Sequence, residues 1–142
     1  MKINSKIKKY LNLFENLSIQ NLNNFDELID DKIIFVDPFN KIKGKDNFKK
    51  LFKRTLTLLS NPKFKIIAVS CIKNIYFIKW KMEFKAFKKK QIITGLSEIK
   101  TNKHGLILEH LDYWDSFNQF YLKLPIFGKI LKIFSNIFKK KI

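Results

Sequence analysis

Arginine is almost missing from this chain. Of its 29 basic residues only Arg54 is an arginine, although the formal net charge is +17. Proteins that read base edges favour the planar arginine fork, so the charge alone does not argue for nucleic acid, and that partner is not expected. Cysteine stops at one, Cys71, which excludes a disulfide framework within the chain. That fits a reducing compartment, and a cytoplasmic location is expected. Cys71 lies in an apolar run without His or Asp beside it in sequence, as a small core residue would. The four glycines supply no phosphate-cradling loop. No stretch approaches 18 uncharged apolar residues, so no spanning segment is expected. The start, "MKINSKIKKYLNLF", lacks the continuous apolar region and small-residue site of a signal peptide. No His, Cys or Glu cluster has metal-ligand spacing, and neither a metal nor a cofactor is expected.

Lys, Ile, Asn and Phe fill more than half of the chain. All four have AT-rich codons, so much of the positive charge reads as codon bias. With 46% hydrophobic and 29% charged residues in 142, the composition is that of one globular domain. Its core is expected over about residues 3–122, with a helical extension over 123–142.

Ile3, Ile7, Tyr10, Leu11, Phe14 and Leu17 recur at helical spacing. A short second helix is expected at about 20–30. "KIIFVDPF" then reads as a strand stopped by Pro38, and "NKIKG" as a short return strand. A helix beginning at Gly44 presents Phe48, Leu51, Phe52, Thr55, Leu56 and Leu59, and "SNP" at 60–62 ends it. From Phe64 four strand-like runs follow, separated by turn signals. In the second run Tyr76, Ile78, Trp80, Met82 and Phe84 alternate with Lys79, Lys81, Glu83 and Lys85, giving one apolar and one solvated face. Helices followed by an antiparallel meander predict an α+β fold, a curved antiparallel sheet wrapped around N-terminal helices.

In "LDYWDSF" (111–117), parity places Leu108, His110, Asp112 and Trp114 on one strand face. Asp115 and Ser116 read as the cap of a following helix. Asp112 has no such local duty. His110 beside it is either a base oriented by a carboxylate or a satisfied pocket histidine.

The order helix, helix, "F-V-D-P", "K-G-K-D-N-F" helix, then a meander ending "H-G-x-I-x-x-x-x-D-Y-W-D" resembles the SnoaL-like branch of the nuclear-transport-factor-2-like superfamily. That superfamily includes ketosteroid isomerase, limonene epoxide hydrolase and polyketide cyclases. The resemblance implies a cone around one deep apolar pocket and a small apolar steroid-, polyketide- or isoprenoid-like ligand. Against the isomerase pattern, Asp37 falls at the general base, Tyr10 near the oxyanion tyrosine, and Ser97 where an acid is expected. A hydroxyl is the weaker stabiliser of negative charge. Against the epoxide hydrolase pattern, Asp112 matches the water-activating aspartate, while Trp80 and Met82 stand where an Arg-x-Asp pair belongs. The candidate catalytic residues are therefore Asp37, Asp112, His110 and Tyr10. The candidate pocket residues are Trp80, Met82, Ser97 and Trp114. An isomerase, cyclase or lyase acting without metal, a non-catalytic binder of a lipid-like ligand, and a peripheral membrane protein all remain open. A homodimer through the sheet is expected.

Residues 126–138 are expected to form an amphipathic helix, and residues 126–141 are the segment through which a peripheral membrane contact would be made. Phe127, Ile130, Leu131, Phe134, Ile137 and Phe138 lie on one face and lysines lie opposite. Burial of one large apolar side chain is worth about 1.5–3 kcal/mol. The stripe is therefore expected to pack on protein, over the pocket mouth or in a dimer contact, with an anionic membrane surface as the competing partner.

Overall fold

The structure is a computed structural model that describes residues 3–86 and 88–139. Helix α1 (Ser5–Glu15) begins where the Asn4 side chain accepts from the Lys6 backbone N–H, and it buries Ile7, Tyr10, Leu11, Leu13 and Phe14. The expected helix at 20–30 is instead a 3-10 helix, Ile19–Glu27. Its asparagines explain the difference, because short polar side chains offer the backbone alternative partners. Asn21 does so, accepting from the Ser18 N–H at 2.9 Å and donating to the Asn16 carbonyl at 2.7 Å.

Strand β1 (Ile29–Val36) returns through β2 (Lys41–Lys43) to helix α2 (Lys45–Leu58). Gly44, at φ +94°, opens α2, which buries Phe48 and Phe52. Strands β3 (Ser60–Ile72), β4 (Ile75–Ala86), β5 (Lys89–Thr101) and β6 (Ile107–Trp114) follow. β3 starts at Ser60 and takes in Pro62, earlier than the expected Phe64. It lies at the edge of the sheet, where a residue without an amide donor leaves no ladder partner unpaired.

The six strands run in the order β2-β1-β6-β5-β4-β3. Every pairing is antiparallel except β1 with β6, which is parallel. The sheet is curled and unclosed, and the architecture is the expected α+β cone. Helices α1 and α2 pack inside the curl. The core centres on Phe14, Phe25, Phe35, Phe48 and Phe52, with mostly edge-to-face ring contacts. Such pairs add about 0.5–1.5 kcal/mol each beyond area burial. On β6 the parity holds from His110 onward. Ile107, not Leu108, is fully buried, because the β5–β6 register shifts between Lys100 and Thr101.

Beyond the sheet, Asp115 caps the four-residue helix α3 (Ser116–Gln119) by accepting from the Asn118 backbone N–H. A 3-10 turn (Tyr121–Lys123) leads to α4 (Phe127–Phe138). Gly128 lets α4 approach that turn, since a Cβ there would collide with the Leu122 carbonyl. The helix forms as expected, but its stripe does not cover the pocket mouth. Its packing is against Tyr121–Lys123, and Ile133 and Phe138 stand 69% and 86% exposed. Residues 140–142 lie outside the described residues. Among the described residues no helix is long and apolar enough to cross a membrane.

Candidate functional site

The curl of the sheet over α1 and α2 leaves a cavity of about 320 Å³. That is at the small end of ligand pockets. Its walls are apolar and aromatic, and Trp80, Met82 and Trp114 all contribute. Among the described residues no Lys or Arg lines it, whereas Asp37 and Asp112 both do. Phe39 folds over the rim, its ring 5.5 Å from Trp114 and 5.3 Å from Phe120.

A chain of hydrogen bonds converges on Asp112 from four elements. Tyr10 on α1 is fully buried, and its hydroxyl lies 2.7 Å from His110 Nδ1. Burial, and secondarily the charge of Asp112, holds the Tyr10 phenol well above its ordinary value, so the hydroxyl keeps its hydrogen. His110 Nδ1 is the acceptor for that hydrogen. With Nδ1 accepting, the ring hydrogen belongs on Nε2, which lies 2.8 Å from Asp112 Oδ1 and 3.1 Å from Ser97 Oγ. Ser97 donates to the same Oδ1 and accepts from Trp80 Nε1 at 2.8 Å. Gly95 makes room for this arrangement: any Cβ there would collide with the Trp80 ring.

Two features of this network bear on chemistry. First, the protein donors reach only Oδ1 of Asp112 among the described residues. Its side chain lines the cavity and remains 16% exposed, and Oδ2 has no protein donor among the described residues. Second, the hydrogens of Tyr10, Trp80, Ser97 and His110 are all taken up inside the protein, and the Thr55 hydroxyl donates to the Leu51 carbonyl. The cavity presents acceptors and few free donors.

Asp37 also lines the cavity, but its carboxylate organises its own turn. Oδ1 accepts from the backbone N–H groups of Phe39 and Asn40, both at 2.7 Å, and the Asn40 amide reaches both oxygens. This is the Asx-turn geometry that Asp adopts around a proline.

The sequence pattern described as "Uncharacterized conserved protein (DUF2358)" matches residues 7–110. The chain belongs to the DUF2358 family. The matched span carries Tyr10, Asp37, Trp80, Ser97 and His110 and ends two residues before Asp112. No curated protein matches the chain. Among solved structures, an NTF2-like protein of unknown function from Exiguobacterium sp. 255-15 superposes with a TM-score of 0.68. It is 18% identical and covers 78% of this chain and 98% of its own. An LEH-like epoxide hydrolase from M. tuberculosis gives 0.67 at 16% identity, covering 81% of this chain and 84% of its own. A protein with a ketosteroid isomerase-like fold from Catenulispora acidiphila, solved with trimethylamine, gives 0.71 at 12% identity, covering 83% and 91%. This DUF2358 chain therefore has the NTF2-like fold that its motifs resemble.

The structure brings together all eight candidates, Tyr10, Asp37, Trp80, Met82, Ser97, His110, Asp112 and Trp114, around one cavity. It separates their roles. Tyr10, Trp80, Ser97 and His110 form one network with Asp112, Asp37 belongs to a turn, and Met82 and Trp114 are wall. Phe39, Asn40 and Phe120 line the cavity too and were missed from the sequence. The compact "DPFN" turn was the one signal available for the first two. Among the described residues no group of His, Cys, Asp and Glu could hold a metal ion.

Proposed function

We propose that this DUF2358 protein binds a small, largely apolar, non-anionic molecule in the cone and that Asp112 is the general base acting on it. The observation that carries this reading is the asymmetry of the Asp112 carboxylate at an apolar cavity, with Oδ1 held by His110 and Ser97 and Oδ2 without a protein donor among the described residues. A base needs a lone pair aimed at the substrate and a fixed orientation. The two carboxylates, with no Lys or Arg lining the cavity among the described residues, disfavour anionic ligands such as fatty acids. The ligand's polar group is a donor, either a hydroxyl, an amine or a water held against the substrate.

A second reading has its own observation. The cavity's own hydrogens are largely engaged internally, so little remains to stabilise an oxyanion or protonate a leaving oxygen. On that reading the same site is a binding module and Asp112 only accepts a hydrogen bond from the ligand.

Native mass spectrometry of protein purified from its own cell would identify the ligand, and turnover would then be assayed with Asp112→Asn alongside the wild type. Base catalysis predicts that the variant still binds but loses turnover. Binding without turnover by the wild type selects the binding module. An anionic ligand, or a variant with unchanged binding and turnover, contradicts both.

A further inference from the structure

We infer that α4 is a docking element for an anionic lipid surface. The helix divides cleanly. Phe127, Ile130, Leu131, Ile133, Phe134, Ile137 and Phe138 occupy roughly half of the circumference, while Lys129, Lys132, Ser135 and Asn136 occupy the rest. Apart from the half-buried Leu131, the apolar half is not used by the fold. Phe127, Ile130, Ile133, Phe134, Ile137 and Phe138 are all exposed, and the one buried residue of the helix is Gly128. A face this broad exceeds the narrow seam of a paired coil and matches a helix lying in an interface.

Charge identifies the occupant. Asp115 is the last acidic residue of the chain, and Lys123, Lys129, Lys132, Lys139, Lys140 and Lys141 follow it. A second copy of this chain would bring the same lysines and the same net charge of +17 against this segment, with no acid in it to pair them. An acidic lipid surface supplies the missing sign and an apolar phase together. Within the fold, α4 packs mainly against the turn at Tyr121–Lys123, so the stripe can enter a bilayer without uncovering the core.

The test is co-sedimentation of the full chain with vesicles of phosphatidylcholine alone and of phosphatidylcholine with phosphatidylserine. The wild type is expected to pellet with the acidic vesicles only, and less as salt is raised. Ile133→Ser/Ile137→Ser keeps every charge and touches no buried residue. It is expected to lower acidic-vesicle binding at least tenfold with an unchanged melting temperature. Lys129→Gln/Lys132→Gln is expected to lower it less while keeping the apolar face. The inference is overturned if the wild type stays in solution, if the serine variant binds as the wild type does, or if sedimentation velocity shows a dimer that the serine variant dissolves.

Discussion

The turn at Asp37–Asn40 and the strand at His110–Asp112 both bring a carboxylate to the same cavity, and they use it in opposite ways. Asp37 accepts from Phe39 and Asn40, its own neighbours two and three residues on. Asp112 accepts from His110 on its strand and from Ser97 on the adjacent one, and among the described residues no backbone amide caps it. The contrast teaches that lining a pocket is not enough to make a base. What counts is which oxygen atoms remain after local structure has been satisfied. By that criterion the residue matching the isomerase base is bound up in its own turn, and the residue matching the hydrolase aspartate is the one the proposed function makes the base.

The largest expected effect separates the two directly. With the cognate substrate, Asp112→Asn is expected to lower kcat/KM by about 10²–10⁴, the usual contribution of a general base. Asp37→Asn is expected to lower it less than tenfold and to show its main effect as a lower melting temperature. Equal losses would erase the distinction. Gly95→Val comes next. The added side chain occupies the space of the Trp80 ring and pushes its Nε1 away from Ser97. Overpacking of this kind costs about 1–3 kcal/mol, measured by denaturant unfolding, and ligand affinity should fall with it.

Tyr10→Phe removes the donor to His110 Nδ1 and leaves a buried acceptor unpaired, at a cost of about 1–3 kcal/mol. It also carries a pH signature. The phenol is held above its ordinary value in the folded protein, so the folded state retains a proton that the unfolded chain releases. The stability from this group is complete below about pH 10, the unfolded value, and is lost as pH rises from there towards the folded value. The wild type should lose stability over that alkaline range more steeply than Tyr10→Phe. The smallest effect is expected at Asp115, whose removal as a cap by Asp115→Ala should cost about 1 kcal/mol. Its carboxyl is held below its ordinary value by the Asn118 backbone N–H and then the Asn118 side chain. That stability is present above about pH 4 and lost as pH falls through the folded value. The variant and the wild type should therefore converge in acid.

Much of this comparison was legible before the coordinates. The alternation in β4 placed Tyr76, Ile78, Trp80 and Phe84 on the buried side, and parity in β6 placed His110, Asp112 and Trp114 around one cavity. A period of two is a local property and survives in any sheet. The parallel β1–β6 pairing and the Tyr10–His110 bond are different. They join residues up to 100 positions apart, and no periodicity encodes such a meeting. The division of labour between Asp37 and Asp112 was equally hidden, because it depends on hydrogen atoms and not on which face a residue takes. The fate of the α4 stripe was read wrongly in part. Six apolar side chains argued for packing on protein, over the cone mouth or in a dimer contact, and the first does not occur: the Gly128 contact carries the helix to the Tyr121–Lys123 turn.

The central claim is that Asp112 Oδ2 is the polar terminus of the cavity. It is tested most directly by a crystal structure of the protein soaked with a small apolar primary amide, whose N–H groups seek a carboxylate oxygen. The account predicts the amide nitrogen within hydrogen-bond distance of Asp112 Oδ2, the alkyl group along Trp80 and Met82, and the His110 and Ser97 bonds to Oδ1 intact. An amide bound to Asp37 with the 37–40 turn opened, or one lying on the apolar wall with no contact to Asp112, would contradict it.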